Sequence, residues 1–286
     1  MITLVLAAFL VAVPLSDRAN LVGERDAKPT IQAGCTPILD AGKFPELVPD
    51  HMAWAALQQR LTKRSKQQMA GDLGVDRATV EKIDTAMARH AQGASASLDG
   101  RDDLIRSLSP SELERVEGWV QAQRRQGFYR FARTGTIVED ATKGPRCHLS
   151  VNGRENPELI PEAFYWEAYF RFKAGVAQGF VQPDGSFQAE FLRAQQMQRL
   201  RMPLEELTLV LNTAMNTLSA IERRRSLQVL TDGNDAGLVT RLAIAKIVES
   251  ARADLVRLLP RASWQKVVAE AHRVRKNTLF DFPTGR

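Results

Sequence analysis

Metal-binding and redox-active side chains are scarce in this 286-residue chain, which has two cysteines and four histidines. His51, His90, His148 and His272 show no i,i+3 or i,i+4 pairing and no HExxH spacing, so the common signatures of a metal site are missing. Cys147 and His148 are adjacent, but neighbouring side chains point in different directions, so a shared metal would need further ligands from afar. No metal and no cofactor is expected. DGNDAG (232–237) lacks the acidic residue that a calcium loop requires at its fifth position, and QPDGSF (182–187) reads as a turn. A GxSxG elbow, a Walker loop and a dinucleotide GxGxxG are also missing, so nothing supports an enzyme and no catalytic residue is assigned.

Long apolar runs are equally rare. Residues 2–13 are apolar except for Thr3, and Pro14, Ser16, Asp17 and Arg18 end the run. A membrane span needs roughly 20 apolar residues, whereas a run of this length suits the core of an export signal. Residues 1–20 are therefore read as a signal peptide, which places the mature chain in the periplasm or outside the cell. A buried N-terminal helix or strand is the alternative. No other segment is apolar enough to span a bilayer, so the mature protein is expected not to cross one. In an exported chain Cys35 and Cys147 are free to pair; otherwise they are two buried thiols.

The composition, 44% hydrophobic and 25% charged, belongs to a folded globular chain. The net charge is +6, and 252–286 carries most of the excess, with eight Lys and Arg against Asp254, Glu270 and Asp281. This basic segment is either a contact for an anionic surface or a solvated helix face.

Residues 21–50 are punctuated by Gly and Pro and read as an extended arm. From His51 onward, Trp54, Leu57, Leu61, Met69 and Leu73 recur at helical spacing, which predicts a long amphipathic helix. Further helices are predicted at about 77–92, 101–107, 110–133, 161–178, 187–200, 203–229, 236–258 and 261–277. Strand signals are nearly absent. The expected fold is all-α: two helical-bundle subdomains of amphipathic hairpins, 51–134 and 161–286, joined by a linker loop at 135–160.

QQMAGDLGVDRATVEKI (67–83) matches a helix-turn-helix, with Ala70 at the helix crossing, Gly74 in the turn, and Met69, Leu73, Val75, Val80 and Ile83 at the apolar sites. A DNA-reading helix must neutralise phosphate, yet Arg77, Lys82 and Arg89 are balanced by Asp76, Glu81 and Asp84. Helix capping gives a simpler account. Asp76 serves as N-cap with Val75 and Val80 as a hydrophobic staple. Ser109, Pro110 and Glu112 make a capping box stapled by Leu108 and Leu113. A DNA-binding regulator using residues 66–85 is the alternative function.

LGVDRATVEKI and LSPSELERV resemble the helix starts of the Spy-like periplasmic chaperone family, whose marker is Leu-Thr-x-x-Gln, across roughly residues 51–133. Here Asp76 or Ser109 replaces Thr, and Thr79 or Glu112 replaces Gln. The resemblance implies curved helical hairpins that dimerise into a cradle for unfolded protein clients without ATP. It transfers no residue roles. Setting Asp103 against Asp254 also aligns Leu104 with Leu255, Arg106 with Arg257, Leu108 with Leu259, Val116 with Val267, Arg124 with Arg275 and Phe131 with Phe282. Either an internal duplication or two similar helical hairpins would produce this match.

PEAFYWEAYFRFKAG (161–175) spreads aromatic rings around a helix. Ordinary core is one reading, and a client groove lined by Phe164, Tyr165, Tyr169 and Phe172 is the other. Glu162 and Glu167 flank the run, with no pocket to make them an acid–base pair. The leading expectation is an exported, non-catalytic helical protein that binds protein or peptide clients in the cell envelope.

Overall fold

The computed structural model of the chain describes residues 34–89, 96–126, 128–131, 135–140, 144–178, 194–229 and 236–282. The expected signal peptide, the first part of the arm, His90, the QPDGSF turn and residues 283–286 lie outside them.

Strand β1 (Ile38–Asp40) opens the described chain and a short 3-10 turn (Pro45–Leu47) follows it. Next come α1 (Asp50–Lys63), α2 (Lys66–Leu73), α3 (Arg77–Arg89), α4 (Ala96–Ser107) and α5 (Pro110–Arg124), then β2 (Phe128–Arg130), β3 (Thr136–Asp140) and β4 (Gly144–Asn152). A second 3-10 turn (Pro157–Leu159) leads into α6 (Glu162–Gln178), α7 (194–200), α8 (Leu204–Val229), α9 (Ala236–Leu258), α10 (Arg261–Lys276) and β5 (Leu279–Phe282). The protein is an all-α bundle with two small antiparallel sheets, β1–β2 and β3–β4–β5.

Four expectations need correction. The region 135–160 is not a loop. Its β3 and β4 form a hairpin, because Gly135 bridges Cys35 and β4 is held by β5 on its other edge. The two helical halves are not separate subdomains, since the chain from 34 onward is one compact unit with one continuous apolar core. The described part of the arm belongs to that core, burying Leu39, Ala41, Leu47 and Val48. The helix from His51 also breaks at Ser65, which starts α2 with a reciprocal capping box to Gln68.

The halves are nonetheless copies of one plan. PELVPD (45–50) and PELIPE (157–162) each form a 3-10 turn, an extended residue and a helix start. The extended residues before proline match closely: Val48 at φ −68°, ψ 122° and Ile160 at φ −71°, ψ 121°. Proline disfavours the helical region in the residue before it, so Pro49 and Pro161 impose this geometry. Asp40 Oδ1 accepts from Gly42 N at 3.0 Å, and Asn152 Oδ1 accepts from Arg154 N at 3.0 Å. The strand registers coincide as well, with Leu39 opposite Tyr129 as Val151 is opposite Phe280.

Gly74 (φ 66°) and Arg201 (φ 48°), the two positive-φ residues among those described, occupy the same turn, between α2 and α3 and between α7 and α8. The second half differs mainly by longer helices: α8 has 26 residues against 13 in α3, and α9 has 23 against 12 in α4.

Candidate functional site

The two copies join through residues that are each other's counterparts. Cys35 and Cys147, 112 positions apart and equivalent in the repeat, form a disulfide with a Cα–Cα distance of 5.8 Å. Phe131 and Phe282, equivalent likewise, pack with tilted rings 4.6 Å apart at their centroids. Beneath them lies a buried ionic cluster. Arg101 of α4 reaches both helix-start acids, Asp50 of α1 at 3.3 Å and Glu162 of α6 at 3.3 Å, and also Glu117 of α5 at 3.1 Å. Its counterpart Arg252 of α9 binds Glu162 at 3.1 Å and pairs with Asp102, which also accepts the Trp264 indole N–H at 2.7 Å. Arg101 lies over Trp54 at 5.7 Å, and Arg252 over the equivalent Trp166 at 5.9 Å. Burial alone would raise the Asp50 pKa, but Arg124 and Arg101 hold it below the usual carboxylate range.

Beside this cluster runs a groove of ≈ 630 Å³ between α5 and α9, within the roughly 300–1,000 Å³ common for ligand clefts. Leu113, Glu117, Gly118 and Arg124 line it from α5, and Leu242, Lys246, Glu249 and Ala253 from α9. The first 3-10 turn adds Glu46, which is 9% exposed. One of its oxygens, Oε1, lies 3.3 Å from Arg241 Nε, and neither oxygen has a hydrogen-bond partner of good geometry. Burial pushes the Glu46 carboxyl above its usual value, and its own backbone N–H, Arg241 and Arg124 only partly oppose that. Burial raises Glu249 too, opposed by Arg101 and reinforced by Asp50 and Glu117. The lining thus carries Glu46, Glu114, Glu117 and Glu249 together with Arg124, Arg125, Lys246 and Arg257, beside an aliphatic wall of Leu113, Leu242 and Ala253.

The second half carries different side chains at the groove positions. Trp264, Val268 and Ala269 stand where Leu113, Glu117 and Gly118 do. Trp264 is buried and stacks on Trp166 with ring centroids 5.4 Å apart. Gly118, by contrast, borders open space: a Cβ added there would meet nothing within 4 Å.

The four rings expected to line one groove do not lie together on the surface. Tyr165 and Tyr169 are fully buried, while Phe164 and Phe172 are partly exposed and Phe164 packs edge-on against Phe280 at 4.7 Å. The wide aromatic coverage of α6 reflects burial on several sides. Glu162 belongs to the ionic cluster, and Glu167 pairs with Arg171 and Arg225. Buried Lys173, its pKa lowered by desolvation, pairs with Glu270 and donates to Gln196 Oε1 at 2.7 Å. Much of the basic C-terminal segment is engaged internally. Arg252 and Arg275 are buried, Arg257 pairs with Asp254 and Arg261 with Asp103.

Sequence reasoning missed Glu46, Glu249 and the whole ionic cluster. The repeated PELVPD and PELIPE hexapeptides are the signal that would have aligned Asp50 with Glu162 and Glu46 with Glu158. Among the described residues no three His, Cys, Asp or Glu group as a metal site, and no helix is long and apolar enough to cross a membrane. No protein-family model, curated protein or solved structure matches this chain.

Proposed function

We propose that this chain is an exported, non-catalytic binding protein that holds a segment of a client polypeptide in the groove between α5 and α9. One observation carries the reading: the α5 wall of the groove has Leu113, Glu117 and Gly118, with open space at Gly118, where the equivalent positions of α10 hold Trp264, Val268 and Ala269. The Cys35–Cys147 disulfide favours an oxidising compartment. A non-catalytic, client-holding role also agrees with the resemblance to the Spy-like chaperones.

The helix-turn-helix likeness at 66–85 has a structural origin. The same turn recurs at Arg201, and on the outer face of α3 Glu81 meets Lys66 and Arg77 while Asp84 meets Lys66. Two measurements test the proposal. Cell fractionation with mass determination is expected to find a processed chain outside the cytoplasm, and the purified protein is expected to suppress aggregation of an unfolded client. An unprocessed cytoplasmic chain whose retention on DNA falls steeply with salt would overturn it in favour of the regulator reading.

A further inference from the structure

We propose that Lys173 of α6 condenses with Gln196 of α7 to form an isopeptide cross-link, with Glu270 of α10 relaying the protons. The duplicated plan singles out these residues. Their counterparts in the first copy are Leu61, Met69 and Trp119, all apolar and all packed into or against the core. The register is set by equivalent backbone hydrogen bonds after α2 and α7, Val75 N–H to Ala70 O and Met202 N–H to Met197 O. One copy therefore completes the fold with no ionisable group at these positions. Exchanging a buried ion pair for apolar packing is often neutral or stabilising, so stability alone does not account for the triad.

Lys173, Glu270 and Gln196 are 0%, 2% and 4% exposed. Lys173 Nζ lies 2.7 Å from Gln196 Oε1 and 2.5 Å from Glu270 Oε2, with the Tyr169 and Phe172 ring centroids at 5.5 and 5.3 Å. A carbonyl bond is about 1.23 Å long, so Nζ stands no more than about 4 Å from Gln196 Cδ. Lysine attacks only as the neutral amine. Desolvation lowers the Lys173 pKa, Arg199 adds to that, and Glu270 opposes it while offering a base at contact distance. Nζ first gives a proton to Glu270 and then attacks Cδ, forming the Nζ–Cδ bond. The Cδ–Nε2 bond breaks as Glu270 protonates the leaving nitrogen and takes the second amine proton in turn. That proton follows the ammonia out as ammonium, so Glu270 ends as the carboxylate it began as. Arg199, half-exposed and 3.6 Å from Glu270 Oε1, then remains as its countercharge. Fixed contact in a dry pocket replaces the encounter that such a reaction needs in water.

Intact mass spectrometry of the folded full chain, reduced just before injection, provides the test. Its mass is expected to fall below that of its sequence by one ammonia, and tandem spectra of a digest to show a branched peptide joining positions 173 and 196. The same chain purified in denaturant is expected to carry the full mass and to lose ammonia only on refolding. Gln196→Met installs the first copy's own residue and leaves the Lys173–Glu270 pair in place. This variant is expected to melt cooperatively and to keep its full mass. Glu270→Gln preserves the side-chain size, removes the relay and is expected to stay unlinked.

A full mass in the folded wild-type chain would overturn the proposal outright, whatever the variants do. Loss of water in place of ammonia, with positions 173 and 270 joined, would overturn the assignment of Gln196 as the acyl donor. Ammonia loss that persists in Gln196→Met would place its source at another amide and overturn the cross-link. Undiminished linkage in a folded Glu270→Gln chain would overturn the relay.

Discussion

The two halves share a plan, but the second fills it with aromatic rings and the first does not. Tyr165, Trp166, Tyr169, Phe170 and Trp264 pack in the second half; their counterparts in the first are Ala53, Trp54, Leu57, Gln58 and Leu113. Aromatic pairs add about 0.5–1.5 kcal/mol beyond the area they bury, so the second copy is the better anchored. The groove is shared between them: α5 of the first copy and α9 of the second form its walls, and Glu46 of the first lies beside Arg241 of the second. The division is one of packing, with the aromatic rings gathered in the second copy.

The largest test of that division is the disulfide that links equivalent positions. Replacing Cys35 and Cys147 by Ser opens a 112-residue loop and is expected to cost at most about 5 kcal/mol in the chain-entropy model. Urea unfolding should remain a single transition, because both halves share one core. Two separated transitions would mean that each half holds itself together. Next in size is Arg101, which touches the helix-start acids of both halves. Arg101→Met leaves Asp50 and Glu162 short of charge and is expected to cost about 3–5 kcal/mol. Arg252→Met should cost less, because Arg252 contacts two acids, Glu162 and Asp102, where Arg101 contacts three, Asp50, Glu162 and Glu117. An equal or reversed ranking would undo the central role given to Arg101.

A smaller contrast separates Glu46 from its counterpart Glu158, which is half-exposed. Because burial raises the Glu46 pKa, the folded state binds this proton more tightly than the unfolded chain does. Its stabilisation is full below the unfolded value of about 4.5 and is lost as pH rises through the raised folded value. Glu46→Gln is therefore expected to raise the melting midpoint at pH 7, with the gain fading toward pH 4.5. Glu158→Gln should change it little. A lower midpoint at pH 7 for Glu46→Gln would show that Arg241 satisfies the acid fully.

What could be read from the sequence divides along the range of the interactions. Local chemistry marked the starts of α3 and α5 correctly. Asp76 Oδ1 accepts from Thr79 N at 2.6 Å, Gly74 takes the left-handed turn, and Ser109 with Glu112 forms both halves of its capping box. Helices 203–229, 236–258 and 261–277 agree with the structure to within a residue at each end. Pairings set by distant chain segments stayed hidden. β4 has no strand signature of its own and exists because β3 and β5 flank it, and the predicted 110–133 helix ends at Arg124 because β2 is captured by β1. Glu46 and Glu249 were invisible for the same reason, since their chemistry comes from burial by each other's elements.

The finest contrast lies at the starts of α5 and α10. In the first half Ser109 caps α5, and Glu112 accepts hydrogen bonds from Ser109 and Thr79, tying α5 to α3. The second half has Ser263 in place of Glu112 and Glu206 in place of Thr79, so hydroxyl and carboxylate have exchanged helices, and Pro260 offers α10 no side-chain cap. Ser109→Ala is expected to cost about 1 kcal/mol, while Ala in place of Arg261, the first residue of α10, should cost little. The hydrogen bonds from Ser109 and Thr79 lower the Glu112 pKa to about 2. Stabilisation from this carboxylate is thus present above its ordinary 4.5 and lost as pH falls through about 2. A carboxyl NMR titration should place its midpoint near that value and move it toward 4.5 in Thr79→Val. A wild-type midpoint already near 4.5 would mean that the α3–α5 tie does not form in solution, and the exchange of hydroxyl and carboxylate between the copies would lose its physical reason.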